Sequence, residues 1–210
     1  MMPIETLTAF FTTSVLLALA PGPDNLFVLT QSALHGKLAG LLVTIGLCTG
    51  LIMHTSAVAF GVAVIFQVSI IAFTMLKLFG AGYLLFLAWG AFRAPATQIK
   101  SEIGNGQGLR LKELYWRGII MNVTNPKVSI FFLAFLPQFA DPARNSMTLQ
   151  IIILGCVFIL STLLVFGTIA LLAGMIRNWL VHSDKAQIIM NRVAGMVFII
   201  LALKLAITER

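Results

Sequence analysis

Long apolar runs alternate with short polar links along this chain. Six of the runs are long enough for a membrane helix, which needs about 20 predominantly apolar residues. They cover residues 6–34, 38–66, 69–92, 115–139, 147–176 and 188–207. The pattern predicts an all-α integral membrane protein with six transmembrane helices.

The polar stretches mark where the predicted helices end. Residues 93–114 hold several charges and a glycine-rich run, which is typical of a flexible loop. Residues 141–145 are predicted to form a turn, and residues 177–187 a polar link before the last helix. The second and third runs are separated only around residues 67–69, so a short turn is predicted there.

Two of the six runs are interrupted by a proline next to a charge. Residues 20–25 read Ala-Pro-Gly-Pro-Asp-Asn, and residues 125–127 read Asn-Pro-Lys. Proline ends a helix because it lacks the amide hydrogen and clashes with the preceding turn. In lipid such a break survives only where protein buries it or where it lines a cavity. We therefore expect Pro23 and Pro126 to begin new half-helices.

The two breaks indicate an internal duplication. Aligning Pro23 with Pro126 places Asp24 on Lys127, in the first helix of each half. Because each half has three helices, the halves must run in opposite directions, so the chain is predicted to fold as two inverted three-helix repeats with broken first helices. The predicted organisation is one membrane domain over residues 1–210, with repeats over residues 1–92 and 115–210 and a cytoplasmic loop over residues 93–114.

Composition supports a membrane protein and an orientation. The chain is 59% hydrophobic and only 10% charged, whereas soluble domains carry about 25% charged residues. The net charge of +7 would also suit nucleic acid, but its basic residues gather in alternate links, nine on one side and three on the other. The positive-inside rule then places the 93–114 loop in the cytoplasm and both termini in the periplasm. With Glu5 near the start, the N-terminus is expected to be a retained helix.

The breaks carry the candidate chemistry. In inverted halves they would face each other near the midplane, with a carboxylate at Asp24 and an ammonium at Lys127. Together with helix-end amides they suit a zwitterion, whose carboxylate faces Lys127 and whose amino group faces Asp24. Neutral hydrogen bonds could come from Asn25, Asn122 and Asn125. The alternative is a structural ion pair between Asp24 and Lys127 that only joins the halves.

Several other polar residues lie inside the apolar runs. His54 could relay protons, contact substrate or form a hydrogen bond between helices, and Lys77 could be accessory or extend its ammonium to the membrane surface. Gly46 and Gly50 have the small-xxx-small spacing that lets helices approach closely.

No enzyme signature is present in the sequence. HExxH, a phosphate-binding loop and a Ser-His-Asp pattern are all missing, and the histidines are scattered. We therefore expect neither enzyme activity nor a metal or other cofactor. Cys48 and Cys156 lack metal-site or CxxC spacing, but a membrane thiol-redox carrier that uses them is retained as the alternative function.

The two proline-containing stretches and their surroundings resemble the lysine exporter (LysE) family, in particular its homoserine/threonine-resistance branch. Residues 20–25 are similar to the first-helix motif of that family, and residues 125–127 and 131–139 to its fourth-helix block. The resemblance extends to the second and third helices through Gly40, Gly46, Gly50, His54, Tyr83 and their neighbours. The sixth helix departs slightly, with Leu-Ala-Leu at residues 201–203 where a glycine is common.

The resemblance implies a secondary, proton-coupled exporter of amino acids or close derivatives in the bacterial inner membrane. Its expected partners are a small amino acid, protons and membrane lipid, with no nucleic acid, and a homo-oligomer is left open. Related thiol-redox carriers place cysteines where this chain has Asp24 and Lys127. The expected substrate-binding residues are Pro21, Gly22, Pro23, Asp24, Asn25, His54, Asn122, Asn125, Pro126 and Lys127, with Asp24 also coupling protons and with Lys77 and Tyr83 as accessory residues.

Overall fold

The computed structural model of the protein describes residues 2–62, 70–94, 110–141, 143–144 and 146–207, and within these ranges the only regular structure is helical. The helices are α1 (Ile4–Leu19), α2 (Pro23–His35), α3 (Lys37–Ala57), α4 (Ile70–Arg93), α5 (Leu111–Val123), α6 (Pro126–Ile130), α7 (Met147–His182) and α8 (Asp184–Ile207). Helix α3 continues as a π-helical turn, Val58–Val62. After α6 the chain winds through a π-helical turn, Phe131–Phe135, and a 3₁₀ turn, Leu136–Phe139.

Four of these helices, α3, α4, α7 and α8, are long and apolar enough to cross a membrane. The other helices form two bent pairs. Helices α1 and α2 meet at 63°, and α5 meets the segment from Pro126 to Phe139 at 49°. Counting each bent pair as one span gives six. The predicted all-α membrane fold with two broken helices is therefore confirmed.

The outer faces of the helices are apolar. Large side chains such as Phe60, Phe79 and Phe86 are about two-thirds or more exposed on the bundle surface. Apolar surface of this extent would be unstable in water and is typical of a lipid-facing exterior. Several polar side chains are instead buried inside the bundle, and those of both breaks are among them.

The two halves exchange packing partners. The first helix of each half packs mainly against the second helix of the other half, which gives the pairs α1 with α7 and α5 with α3. The third helices, α4 and α8, pack against each other. Within this packing the side chains that follow each break, Asp24 and Lys127, are buried.

Small residues allow the closest of these approaches. A Cβ atom at Gly118 would lie 3.1 Å from the Cα of Gly46, so α3 and α5 touch nearly backbone to backbone. A Cβ at Gly50 would lie 2.7 Å from Oδ1 of Asn122. The packing role predicted for Gly46 and Gly50 agrees with this geometry, and Gly50 additionally makes room for a polar side chain near the second break.

The predicted polar link over residues 177–187 is wrong. Helix α7 continues to His182, and α8 begins at Asp184, so only Ser183 lies between them. The Ser183 hydroxyl accepts a hydrogen bond from the Ala186 amide (3.1 Å), as an N-cap does. The prediction failed because hydropathy marks where a helix leaves the apolar region, whereas the helix itself can continue through polar residues.

Other predicted links are tested only at their edges. Asp141 accepts hydrogen bonds from the Ala143 amide (2.9 Å) and the Arg144 side chain (3.0 Å), as expected of a turn. Helix α5 already begins at Leu111, so helix occupies the end of the predicted 93–114 loop. The turn predicted at 67–69 and residues 95–109 of that loop lie outside the described residues.

Candidate functional site

The first break separates α1 from α2. Gly22 precedes α2 in an extended conformation, and Pro23 is the first helical residue, as predicted. Proline is tolerated there because the first amides of a helix have no partner within the helix. Asp24 follows in the first turn, where a carboxylate complements the positive end of the helix dipole.

The second break has the same design. Pro126 is the first residue of α6, and Asn125 is its N-cap. The Oδ1 atom of Asn125 accepts a hydrogen bond from the Lys127 backbone amide at 3.0 Å. This local bond satisfies one of the amides that a helix start leaves open. It also fixes the orientation of the Asn125 side chain, whose Nδ2 atom stays available for another acceptor.

A hydrogen bond connects the two breaks. Asn125 donates from Nδ2 to Oδ2 of Asp24 at 2.9 Å, across 101 positions of sequence. Asp24 is only 3% exposed and Asn125 only 5%. The bond therefore lies inside the protein and joins the first half to the second.

Lys127 serves the opposite end of the first break. Lys127 is only 8% exposed, and its ammonium donates to the carbonyl oxygens of Ala20 (3.2 Å) and Leu17 (3.4 Å). These carbonyls end α1, where the helix dipole is negative and intrahelical donors run out. A Cβ at Gly22 would lie 3.3 Å from Nζ of Lys127, so a residue without a side chain leaves space for the ammonium.

The two charges of the site do not touch. Within the described part of the chain, no ion pair within 4.0 Å joins the Asp24 carboxylate to the Lys127 ammonium. The Asn125 side chain instead bonds the carboxylate of Asp24 and the backbone amide of Lys127. The halves are thus joined by an amide bridge, and the direct ion pair of the structural alternative is not formed.

Two more predicted residues cap the broken helix ends. Asn25 donates from Nδ2 to the Ala18 carbonyl at 2.6 Å, which adds a third cross-break bond at the end of α1. His54 lies with Nε2 3.2 Å from the Asn122 carbonyl at the end of α5, and its ring is 5.5 Å from that of Phe132. This geometry matches the expectation of a hydrogen bond between helices at His54.

The breaks also leave acceptor atoms unused. The side-chain oxygens Asp24 Oδ1, Asn25 Oδ1 and Asn122 Oδ1 are buried and have no hydrogen-bond donor in the structure. Asn25 is 8% exposed and Asn122 is 2% exposed. Most buried polar atoms in proteins are paired, so a group of unpaired acceptors requires a functional or structural reason.

Sequence reasoning missed two polar residues of α2. Gln31 and Ser32 are each about 95% buried and carry an oxygen without a donor. Gln31 lies seven positions after Asp24, which places both on one face of the helix. The signal was available as a polar residue at i+7 within an apolar run, but no proline or charge drew attention to it.

The accessory candidates lie elsewhere. Tyr83 is on α4, half-buried, with its ring 6.0 Å from Phe86 of the same helix. Lys77 is half-buried on α4. Cys48 on α3 and Cys156 on α7 are free thiols, one buried and one exposed. In the described ranges, no group of three or more His, Cys, Asp or Glu side chains could hold a metal ion.

Comparison with known proteins places the chain among transporters. The family model of the LysE type translocators matches residues 15–209. The homoserine/homoserine lactone efflux protein of Salmonella typhi is 33% identical over 98% of both chains. An uncharacterized membrane protein of Vibrio cholerae serotype O1 is 31% identical over 94% of both chains. The leucine efflux protein of Salmonella choleraesuis is 25% identical over 92% of this chain and 91% of its own.

No solved structure matches the chain. The family match instead rests on sequence that covers nearly all of it, including both breaks and the helices that pack around them. This chain therefore belongs to the LysE family of translocators.

Proposed function

We propose that this protein is a secondary exporter of amino acids or close derivatives in the bacterial inner membrane, and that it exchanges them for protons. The observation that carries the proposal is the meeting of two half-helix breaks around a buried carboxylate, Asp24, which is bonded across the halves to Asn125. Discontinuous helices in matching positions are where secondary transporters bind their substrates. Family membership supports the same function.

The proposed substrate site is the region between the breaks. Its polar residues come from both halves, so a relative movement of the halves would open it to one side of the membrane or the other. Asp24 and the buried Gln31 lie seven positions apart on α2, so the proposed site extends along this helix from the first break toward its end at His35. The residues assigned to the site are Pro21, Gly22, Pro23, Asp24, Asn25, His54, Asn122, Asn125, Pro126 and Lys127.

Asp24 is the proposed proton carrier. Of the Asp and Glu residues in the described ranges, it alone is buried, and an ionisable group within a membrane span points to function. Its Oδ1 atom has no donor and can therefore take up a proton. When the site faces outward, protonation of Asp24 would release the substrate. When the site faces the cytoplasm, loss of that proton would restore the carboxylate that binds the next substrate. One substrate leaves as one proton enters.

The relatives' names suggest the class of substrate. They are named for efflux of homoserine, homoserine lactone and leucine. These three compounds differ in the side chain and in whether the carboxylate is free, but all keep the α-amino group. We therefore propose an α-amino compound with a small or apolar side chain for this protein.

Expression of the protein in cells that overproduce amino acids tests the function. We expect the intracellular concentration of at least one α-amino compound to fall severalfold and its external concentration to rise, compared with the empty vector. The measurement is mass spectrometry of all amino acids in both compartments. Unchanged concentrations of every amino acid, with the protein present in the membrane, would contradict the proposal.

The same export assay tests the alternative function, a thiol-redox carrier. A double variant, Cys48→Ser with Cys156→Ser, removes both free thiols. Full export by this variant is expected, because neither thiol belongs to the proposed site. Loss of function in a folded double variant would instead favour the thiol-redox alternative.

The orientation of the chain is a separate proposal. With nine basic residues in one set of links and three on the opposite side, we place both termini in the periplasm. Alkaline phosphatase, which is active only outside the cytoplasm, is expected to be active when fused after Arg210. A fluorescent protein that matures only in the cytoplasm should stay dark at that position, and the reverse result would overturn the orientation.

A further inference from the structure

We propose that the paired breaks recognise the ammonium end of the substrate and do not bind its carboxylate. The inference rests on the proposed export function and adds which chemical group the site recognises. It follows from how donors and acceptors are distributed among Asp24, Asn25, Asn122, Asn125 and Lys127. Compounds that keep a primary ammonium but lack a carboxylate are then ligands of the same site.

The unused groups of the site are acceptors. Asp24, Asn25 and Asn122 each bury a side-chain oxygen that has no donor. Asp24 and Asn122 are connected through Asn125, which bonds Asp24 by its side chain (2.9 Å) and the Asn122 carbonyl by its backbone amide (3.1 Å). Asn25 follows Asp24 directly in the first turn of α2. A primary ammonium carries three N–H donors and no acceptor. It is therefore the part of an amino acid that complements these acceptors, and the Asp24 charge attracts it.

The side-chain donors of Lys127, Asn25 and Asn125 are already engaged. The Lys127 ammonium bonds the carbonyls of Leu17 and Ala20, and Nδ2 of Asn25 bonds the carbonyl of Ala18. Nδ2 of Asn125 bonds Asp24. To bind these donors, a substrate carboxylate would have to displace one of these bonds. A helix-end carbonyl or the Asp24 carboxylate would then lose its donor in a buried region, which is costly.

The helix starts are also poor sites for an anion, because α2 carries the Asp24 carboxylate in its first turn. Their first residues are prolines, Pro23 and Pro126, which have no amide hydrogen. The next amide of α6, that of Lys127, is bonded by Oδ1 of Asn125, and the amide of Val128 bonds the Asn125 carbonyl. An anion at the start of α6 would therefore meet amides that are already satisfied.

A matched set of ligands tests the inference on the purified, full-length protein in detergent. Each set contains an amino acid, a derivative without the carboxylate, and the analogue whose ammonium is replaced by hydroxyl. The starting sets are L-leucine, L-leucinamide and 2-hydroxy-4-methylpentanoate, and L-homoserine, L-homoserine lactone and 2,4-dihydroxybutanoate. The same design is applied to any other amino acid that the export assay identifies. Binding is measured by calorimetry at about pH 6, below the usual range of α-amino groups.

We expect the parent amino acid and its carboxylate-free derivative to bind within about threefold of each other, and the hydroxy analogue to bind about 10- to 100-fold more weakly, as for a lost hydrogen-bonded charge. The variant Asn122→Ala should weaken both ammonium ligands about tenfold while leaving their ratio unchanged. The variant Asp24→Asn should weaken both ammonium ligands as well. Its matched control is Asp141→Asn, which changes a half-exposed carboxylate on a turn and should leave all affinities unchanged.

The outcomes separate the two proposals. Binding of the hydroxy analogue as tightly as the parent, with loss of the amide or lactone, would overturn ammonium recognition while leaving amino-acid export intact. Absence of binding by any member, together with no change in the export assay, would overturn the proposed function itself. The wild-type ligand series decides the question even if Asn122→Ala does not fold.

Discussion

Replacing Asp24 by Asn is expected to lower the rate of export about 100-fold or more, because both the ammonium contact and the proton exchange are lost. The amide cannot take up the coupled proton and carries no charge to hold an ammonium. Its oxygen can still accept the hydrogen bond that Asn125 donates to Asp24 in the native protein (2.9 Å), so the link between the halves is preserved. Export is measured as efflux of labelled amino acid from loaded cells.

Two controls give that result its meaning. Asp141→Asn makes the same change of atoms on an exposed turn and should export normally. The amount of Asp24→Asn protein in the membrane, measured by immunoblot and size-exclusion chromatography, should match the wild type. Proton-driven export that persists in this variant would remove Asp24 from the mechanism.

Replacing Lys127 by Met is expected to be the most destabilising single change at the site. It keeps the length of the side chain but removes the ammonium from the carbonyls of Leu17 and Ala20. An unsatisfied buried polar group costs about 1–3 kcal/mol, and Asp24 loses its nearby compensating charge as well. We expect less folded protein in the membrane and a clearly lower melting temperature in detergent. The control is Lys112→Met, which changes an exposed lysine at the start of α5 and should leave both quantities unchanged.

A double variant tests the physical reason for that loss. If charge compensation contributes, Lys127→Met combined with Asp24→Asn should be more stable than Lys127→Met alone, because no buried charge is then left unbalanced. In any Lys127→Met protein that folds, parent amino acids and carboxylate-free derivatives should weaken by the same factor. Selective weakening of the parent would instead assign Lys127 to capture of the substrate carboxylate.

Local chemistry made the breaks predictable. Proline cannot continue a helix wherever it lies in the fold, so Pro23 and Pro126 begin half-helices as their sequence positions indicate. Hydropathy likewise located the spans, because lipid requires long apolar segments in any arrangement. The same signal failed between α7 and α8, where the helices continue through polar residues to either side of Ser183.

Long-range partners were not predictable in the same way. The sequence suggested that Lys127 would face Asp24 or a substrate carboxylate, because opposite charges at matching positions invite that pairing. In the structure the ammonium instead bonds the end of α1, since carbonyls at a helix end in a dry environment need donors. Gln31 escaped notice for a related reason, because burial without a donor is a property of its surroundings.

From the sequence alone came a helical membrane protein with a proline break and a charge in two of its spans, and the prediction that these spans begin two related halves. Those features follow from interactions between near neighbours and from the apolar solvent around the chain. The tertiary structure alone decided that Asn125 bridges Asp24 to the second half, that Lys127 caps α1, and which acceptors remain open. These depend on packing between residues about 100 positions apart, where every buried polar group competes for the few donors within reach.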